Sequence, residues 1–359
     1  MTELPTPIKR LLGGLCFAAL AAGAAAQSPP PLPALGAQLS QLTVSGISSG
    51  GYMAVQFQVA HSSLVAGAGV LAAGPYECAE GSMWRALNNC MEPGTGARAP
   101  DTARTLARID THARAGRIDA PAGLHDDRVW VLAGGADHTV ERPVVDALLG
   151  FYRQEVAGDA LRFIDVPQAG HAMISVADPQ PNACGTSEPP YINRCGDLDA
   201  AGEMLAHLLG PLEPRSASAG GEILPFAQRP FTGIAPFDLS LAEQGYVYVP
   251  AACRAGGCRV HVAFHGCRQS ETQIGRRFVE RAGYNEWADT NRLLVLYPQV
   301  RPRNGLAWGS LRWVYNPRGC WDWWGYTDPA YATRDGGQIK AVHAMIERLA
   351  TPMPSILER

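Results

Sequence analysis

The segment Gly46-Ile47-Ser48-Ser49-Gly50 constrains the fold of this 359-residue chain more than any other segment does. It follows an extended, β-branched run at residues 41–45 and precedes a helix-like run at residues 52–57. A G-x-S-x-G pattern between a strand and a helix is typical of the nucleophile elbow, where small residues let the backbone reverse sharply around an exposed serine. We therefore predict an α/β fold in which Ser48 is the nucleophile.

A serine hydroxyl is a weak nucleophile, so it needs a general base that is itself oriented by a carboxylate. The strand-like run 128–133 leads through two glycines to Asp137, and the next strand-like run, 161–166, is followed by a loop that carries His171. The order Ser, Asp, His is that of α/β-hydrolases. We therefore predict that Asp137 is the acid and His171 the base. A helix N-cap is the alternative for Asp137, and the neighbouring His138 is a candidate for a supporting contact.

Acyl transfer also needs hydrogen-bond donors for the oxyanion, commonly the amide after the nucleophile and one from a second loop. The first donor would be the Ser49 amide. A strand at residues 259–264 ends in His265-Gly266-Cys267, and α/β-hydrolases place their second oxyanion loop after such a strand. We predict that the Cys267 amide is the second donor; the alternative is a plain strand-to-loop turn.

The oxyanion strand follows the serine elbow here, whereas in an ordinary α/β-hydrolase it comes first. After it we predict a helix at 274–291, a buried strand at 293–297 and a final amphipathic helix. The apolar face of that last helix consists of Ile339, Val342, Ile346 and Leu349. Joining the end of the chain to its beginning would restore the usual order. The sequence therefore predicts a circularly permuted α/β-hydrolase with a mostly parallel central sheet and helices on both faces.

The N-terminal segment predicts the compartment. Lys9 and Arg10 precede an apolar run, and three alanines at 24–26 offer a cleavage site, so residues 1–26 are interpreted as a signal peptide. A lipoprotein role for Cys16 is a weaker alternative. Residues 27–39 form a proline-rich lead-in. We predict a secreted protein, extracellular or periplasmic, with no integral membrane association.

Residues 40–352 are predicted to form one catalytic domain, with permuted halves at about 40–210 and 222–352. The segment between them is rich in Pro, Ser, Ala and Gly and connects a helix at 203–209 to a strand-like region around Phe231 and 246–249. We prefer one domain because neither half contains both a nucleophile and a second oxyanion loop.

Of the nine cysteines, Cys16 lies in the predicted signal peptide, and its removal leaves eight. An even number of cysteines in an exported chain indicates disulfides. Eight cysteines can pair in 105 ways, but three pairs are close in sequence, and elimination leaves a fourth. The resulting prediction is a disulfide-stapled fold with the bridges Cys78–Cys90, Cys184–Cys195, Cys253–Cys258 and Cys267–Cys320.

Charge and motif content exclude several functions. The net charge is only −3 and the chain has no basic stripe, which argues against nucleic acid as a partner. No C-x-x-C pair occurs, so a zinc site has little support. The predicted chemistry requires neither a metal nor an organic cofactor, and we expect a monomer.

Several of these motifs together resemble one family, the secreted poly(3-hydroxybutyrate) depolymerases with a circularly permuted catalytic domain, as in the single-domain fungal enzyme. The resemblance spans nearly all of the chain that follows the predicted signal peptide. It rests on Gly46-Ile47-Ser48-Ser49-Gly50-Gly51-Tyr52-Met53, Ala169-Gly170-His171, Phe264-His265-Gly266-Cys267 and Cys320-Trp321-Asp322-Trp323-Trp324-Gly325-Tyr326. It implies the triad and oxyanion roles given above. It also implies hydrolysis of poly(3-hydroxybutyrate) or its oligomers, a polyester or oligoester substrate.

The family also uses a tryptophan in its substrate crevice, which the resemblance assigns to the last of these motifs. Our substrate-binding candidates are therefore Trp321, Trp323, Trp324 and Tyr326. Aromatic clusters are more often part of a core, and that alternative stays open. Two other functions remain, a feruloyl, aryl or other carboxylesterase of the same fold, and a non-catalytic binding protein on a hydrolase scaffold.

Overall fold

The computed structural model describes residues 1–2, 28–94, 98–233, 238–307 and 311–353. The predicted signal peptide at 1–26 and the alternative role of Cys16 lie outside the described residues, apart from the first two positions.

The helices and strands alternate along most of the chain. The helices are α1 (Ser49–Ala60), α2 (Met83–Asn88), α3 (Thr102–Arg114), α4 (Arg142–Glu155), α5 (Ala200–Leu209), α6 (Glu271–Ile274), α7 (Arg277–Arg281), α8 (Tyr284–Thr290) and α9 (Gly337–Ala350). The strands are β1 (Gln38–Ile47), β2 (Val65–Leu71), β3 (Arg128–Gly134), β4 (Leu161–Val166), β5 (Met173–Ile174), β6 (Asn182–Ala183), β7 (Ile192–Arg194), β8 (Glu222–Ala227), β9 (Gln244–Val249), β10 (Arg259–Phe264), β11 (Leu293–Tyr297), β12 (Arg303–Leu306) and β13 (Trp313–Asn316). Short 3₁₀ helices occur at Pro121–Asp126, Arg229–Phe231 and Ala251–Cys253.

An eight-stranded sheet in the order β4-β3-β2-β1-β10-β11-β9-β8 organises the molecule. The six strands β4, β3, β2, β1, β10 and β11 run parallel to one another. β9 pairs antiparallel with β11, and β8 pairs antiparallel with β9 at the edge of the sheet. The predicted mostly parallel sheet is thus confirmed. β1 lies between β2 and β10, so the elbow strand and the predicted oxyanion strand are neighbours although they are distant in sequence.

The sheet is covered by helices on both faces, as predicted. Side chains alternate along each strand because successive residues of a strand point to opposite faces. In β3, for example, Val131 belongs to one apolar core, whereas Trp130 and Leu132 belong to the other. Residues of α1, α4 and α9 pack in the first core, and residues of α5, α7 and α8 pack in the second.

The two ends of the folded chain are hydrogen-bonded to each other. The amides of Leu35 and Ala37 donate to the Leu349 carbonyl over 3.1 and 3.0 Å, and the Gly36 amide donates to Thr351 over 3.0 Å. The last helix therefore ends where the first strand begins. This is the arrangement that a circular permutation requires, because the same architecture persists when adjacent ends are joined and the chain is opened elsewhere.

The predicted single helix at 274–291 is wrong. The structure has three short helices there, α6, α7 and α8, separated at Gly275 and Gly283. These glycines have φ values of 62° and 94°, a left-handed conformation that interrupts a right-handed helix and that glycine adopts without steric cost. The apolar periodicity of the segment predicts one continuous helix and gives no indication of these two breaks.

Two boundaries near the junction of the halves also differ from the prediction. Phe231 ends a 3₁₀ helix rather than lying in a strand, and the strand of this region is β8, which pairs with β9. The helix predicted at 203–209 begins earlier, at Ala200, because the side chain of Asp199 accepts the Gly202 amide over 3.1 Å and caps it.

All four predicted disulfides are present, at Cys78–Cys90, Cys184–Cys195, Cys253–Cys258 and Cys267–Cys320. The last bridge crosses 53 positions of sequence and ties the loop after β10 to the tryptophan-rich loop. Within the described parts of the chain, no helix is long and apolar enough to cross a membrane.

Candidate active site

Ser48 occupies the sharp turn between β1 and α1. Its φ of 56° and ψ of −124° lie in a region that a residue with a β-carbon rarely adopts. The turn is held by the Ser48 amide, which donates to the Leu71 carbonyl over 2.9 Å, and by the Ser48 carbonyl, which accepts the Tyr52 amide over 3.0 Å. Strained residues of this kind persist where the surroundings determine them, frequently at functional sites.

The two outer glycines of the elbow are required by close backbone contacts. A β-carbon on Gly46 would lie 2.2 Å from the carbonyl carbon of Gly50. A β-carbon on Gly50 would lie 2.3 Å from the carbonyl oxygen of Phe264 in β10. Both distances are too short for any side chain. The glycine spacing therefore reflects a strand and a helix that pack directly against the neighbouring strand.

Asp137 and His171 come together as the sequence predicts. The Nδ1 atom of His171 lies 2.7 Å from Oδ2 of Asp137, and both side chains are buried. The other carboxylate oxygen, Oδ1, accepts the amides of Thr139 at 2.8 Å and Val140 at 3.0 Å. An ionised carboxylate only accepts hydrogen bonds, so Nδ1 carries the proton and donates it to Asp137, which leaves Nε2 of His171 as the basic atom.

Ser48 and His171 line the same cavity, of ≈ 170 Å³, together with Cys267 and Trp323. The His171 loop is fixed by its own backbone amide, which donates to Oγ of Ser187 over 2.8 Å. His138, the candidate for a supporting contact, is exposed and is not among the residues that line this cavity. The three predicted triad residues are therefore at one site.

The loop after β10 passes directly against the elbow. A β-carbon on Gly266 would lie 3.4 Å from Cβ of Ser48 and 3.3 Å from the Ile47 carbonyl oxygen. Among the described residues, the amides of Ser49 and Cys267 donate to no acceptor, although the amides of Gly266, Arg268 and Gln269 all do. Ser49 adjoins Ser48 in the chain and Cys267 lines the same cavity, so these two free donors are available for the predicted oxyanion role.

Two buried side chains that the sequence analysis did not single out hold the oxyanion loop. Nδ1 of His265 lies 2.7 Å from the Gly266 carbonyl oxygen, and its Nε2 accepts the Val300 amide over 3.2 Å. Burial lowers the pKa of His265 to about 4, so the ring is neutral at pH 7 and Nδ1 is the donor. Oε1 of Gln269 accepts the Gly266 amide over 2.7 Å. His265 belongs to the His-Gly motif and Gln269 lies three residues after Gly266; this placement is the one sequence signal that could have indicated their roles.

His265 also fixes the direction of the Cys267 amide. The Gly266 carbonyl and the Cys267 N–H belong to one planar trans peptide, in which they point in opposite directions. Because His265 binds the carbonyl, the N–H is directed away from His265. The same ring therefore orients the predicted second oxyanion donor, and it is not among the described residues that line the cavity.

We expect His265→Leu to lower kcat for p-nitrophenyl butyrate roughly 10- to 100-fold, somewhat less than the loss of an oxyanion donor, with KM nearly unchanged. The leucine cannot bind the Gly266 carbonyl, so the peptide is free to rotate. His265→Asn, whose amide can replace the Nδ1–H donor, should retain more activity. The affinity of a boronic acid that forms a tetrahedral serine adduct should fall in parallel with kcat; an unchanged affinity would contradict this role.

The four aromatic candidates for substrate binding separate into two groups. Trp323 lines the cavity with Ser48 and stacks on Tyr52, with ring centroids 4.2 Å apart and planes at 8°. Trp324 lines an adjoining cavity of ≈ 190 Å³ that shares Trp323 and Cys267 with the first. These two residues are therefore in position to contact a ligand.

Trp321 and Tyr326 are not among the described residues that line either cavity. Trp321 is fully buried and packs edge-on against Phe264, with centroids 5.0 Å apart. The Tyr326 hydroxyl donates to the Cys320 carbonyl over 2.7 Å. Both predictions are thus corrected: these side chains shape the loop from within, because a loop with so many aromatic residues must bury some of them to become ordered.

Asp322 organises this loop, which the sequence analysis did not predict. Its carboxylate accepts the amides of Gly325 at 2.7 Å, Tyr326 at 3.0 Å and Thr327 at 2.8 Å. Burial raises its pKa to about 6, against the opposing effect of these hydrogen bonds. The residue therefore sets the backbone path that presents Trp323 and Trp324.

The described residues contain no group of three or more His, Cys, Asp or Glu side chains that could hold a metal ion. The sheet, the elbow and the Asp137–His171 pair define the class of the protein as an α/β-hydrolase.

Comparison with known proteins identifies the family within that class. The chain is 39% identical over 326 residues to a poly(3-hydroxybutyrate) depolymerase of Delftia acidovorans, covering 89% of this chain and 62% of that protein. It is 33% identical over 340 residues to a polyhydroxybutyrate depolymerase of Talaromyces funiculosus, covering 92% of this chain and 96% of that protein. The chain belongs to the poly(3-hydroxybutyrate) depolymerase family.

Solved structures agree with this assignment. The crystal structure of the PHB depolymerase from Penicillium funiculosum superposes with a TM-score of 0.80 at 32% identity, covering 90% of this chain and 100% of that one. A second PHB depolymerase structure, a complex with an R3HB trimer, gives a TM-score of 0.79 with the same identity and coverage. No protein-family model matches the chain.

Proposed function

We propose that this chain is a serine esterase that hydrolyses poly(3-hydroxybutyrate) or its oligomers to 3-hydroxybutyrate products. One observation carries the proposal: the buried Asp137–His171 pair, with its Nδ1–Oδ2 distance of 2.7 Å, lies at the same cavity as the strained Ser48. The relatives that bear the depolymerase name support the choice of substrate.

In the proposed mechanism, Nε2 of His171 removes the proton from Ser48 as Oγ attacks the ester carbonyl. Asp137 keeps the imidazole in the required tautomer and stabilises its protonated form. The amides of Ser49 and Cys267 bind the oxyanion. His171 then donates its proton to the departing alkoxide, and water hydrolyses the acyl-enzyme by the same steps in reverse order.

The surroundings of the site support a solid apolar substrate. Among the described residues, large exposed apolar side chains concentrate on α2 and around the β12–β13 hairpin. They are Trp84, Leu87, Leu306, Leu311, Trp313 and Tyr315, with Trp84 62% and Trp313 60% exposed. Leu87 and Tyr315 also line the cavity next to the serine. An exposed apolar surface that adjoins an active site is suited to contact with a polymer.

We further propose that residues 40–352 form one catalytic domain and that the protein is a secreted monomer. The central sheet takes β1–β4 from the first half and β8–β11 from the second, and the site needs Ser48 from one and Cys267 from the other. The disulfides support an oxidising compartment.

Product analysis tests the proposed substrate. Purified mature protein and its Ser48→Ala variant would be incubated with amorphous poly(3-hydroxybutyrate), and the released acids separated by chromatography. We expect 3-hydroxybutyrate or its dimer only with the native serine. If p-nitrophenyl butyrate or a hydroxycinnamate ester is cleaved while the polymer releases no acid, the polyester proposal fails and another carboxylesterase activity replaces it.

A further inference from the structure

The charged groups at the catalytic cavity are all basic. The permanently charged residues among its described lining are Arg268 and Arg318, and no carboxylate lines it. The adjoining apolar cavity also includes Arg318 and no carboxylate. This local excess of positive charge contrasts with the net charge of −3 for the whole chain.

The two arginines are held next to the oxyanion loop. Arg268 follows Cys267 directly, and its backbone amide donates to the Arg318 carbonyl over 2.8 Å. The Cys267–Cys320 disulfide joins the same two segments. Arg268 also has a left-handed φ of 62°, which is unusual for a residue with a long side chain. Both positions are therefore fixed relative to Ser48.

Neither guanidinium has an acidic partner within the described parts of the chain, and both side chains are exposed. Other arginines near acids do form ion pairs, for example Arg277 with Asp178 at 2.8 Å and Arg334 with Asp119 at 2.7 Å. The cavity thus presents two unpaired cations, and guanidinium groups match carboxylates geometrically through paired N–H donors.

The ester bonds of a 3-hydroxybutyrate chain are neutral, and its charged group is the terminal carboxylate. Hydrolysis breaks the bond between the acyl carbon and the alcohol oxygen; water adds hydroxide to the acyl carbon and supplies the proton of the alcohol. The fragment with the free carboxylate is always the alcohol fragment. A carboxylate held by the protein therefore marks the leaving-group side of the site.

We infer that Arg268 and Arg318 bind the terminal carboxylate of the oligoester, so that the enzyme prefers ester bonds near the carboxyl end of anionic chains. This inference rests on the proposed function. It predicts that short products are released from the carboxyl end and that free-acid oligomers are better substrates than their neutral esters.

The test compares kcat/KM for the (R)-3-hydroxybutyrate trimer as the free acid and as its methyl ester, at low ionic strength. We expect the wild-type protein to prefer the acid about 5- to 30-fold, a range typical of hydrogen bonds to a charged group that are partly exposed to solvent. The preference should appear mainly in KM and should fall as salt is added.

Single Arg268→Gln and Arg318→Gln variants should each reduce the acid-to-ester ratio, and the double variant should bring it close to one. The ratio is measured within each variant, so a general loss of activity cancels. Arg153→Gln is the matched control, because Arg153 is an exposed arginine on the last turn of α4, outside the cavity. It should keep the wild-type ratio.

A wild-type ratio near one, or a preference that survives in the double variant, would overturn the inference. In either case, cleavage of the methyl ester by the wild-type protein would leave the proposed polyester hydrolysis intact. If the wild-type protein cleaved neither the free acid nor the methyl ester of the trimer, the proposed function itself would be contradicted.

Discussion

Replacing Ser48 by alanine is expected to lower kcat for p-nitrophenyl butyrate about 10⁶-fold, the size of effect found when the nucleophile of a serine hydrolase is removed. Alanine has no hydroxyl, so no acyl-enzyme can form, while the proposed oxyanion donors, the Ser49 and Cys267 amides, are kept. Initial rates at saturating substrate, corrected for the uncatalysed reaction, measure this loss. A serine-directed fluorophosphonate should label the wild-type protein and not the variant.

Ser49→Ala is the matched control for this experiment. The Ser49 side chain is buried, and its hydroxyl has no hydrogen-bond partner in the described structure. Its proposed role belongs to the backbone amide, which alanine keeps. We therefore expect this variant to retain kcat within a few-fold, and full activity in Ser48→Ala with loss in Ser49→Ala would overturn the assignment of the nucleophile.

Asp137→Asn should produce the second largest effect, a loss of about 10⁴-fold in kcat with little change in the fold. Asparagine can turn its amide N–H toward Nδ1 of His171, which then becomes an acceptor. The proton moves to Nε2, and His171 can no longer remove the proton from Ser48. The loss should be measured as kcat between pH 6 and 9, together with thermal unfolding.

Asp165→Asn provides the comparison, because Asp165 is half exposed and pairs with Arg142 over 2.7 Å at the surface. Exposed ion pairs contribute little to stability, so this variant should keep wild-type kcat. Glu141, not Asp137, occupies the N-cap position of α4, so the helix-cap alternative is wrong. If Asp137→Asn also kept kcat, the carboxylate would only stabilise the local turn in which it accepts the amides of Thr139 and Val140.

The site was predictable where local sequence determines local geometry. The elbow needs small residues on both sides of Ser48, and the distances at Gly46 and Gly50 show why. Asp137 follows the buried strand β3 and His171 follows the edge strand β4, and parallel strands bring their carboxyl ends to one edge of a sheet. Strand order, chain order and residue type therefore restricted the candidates to a few positions.

The prediction was less successful where several tertiary contacts compete. Trp321 and Trp323 are two positions apart, yet one is packed against Phe264 and the other lines the catalytic cavity. Residue type alone does not distinguish His265 from the other histidines of the chain. Its positioning role follows from its burial and from its contacts with the Gly266 carbonyl and the Val300 amide. Such differences depend on the residues that surround a side chain in the folded protein. Periodicity and composition carry no information about those neighbours.

The sequence by itself indicated the class of chemistry, the three disulfides between neighbouring cysteines and the permuted order of the elements, because glycine sterics, cysteine spacing and strand patterns act over short stretches of chain. The Cys267–Cys320 bridge, which crosses 53 positions, followed only by elimination. The tertiary structure decided which aromatic residues reach the site, how the Cys267 amide is aimed and that Arg268 lies beside Arg318. Those properties arise from contacts between segments far apart in sequence, and the free energy of packing, rather than local conformational preference, selects among them.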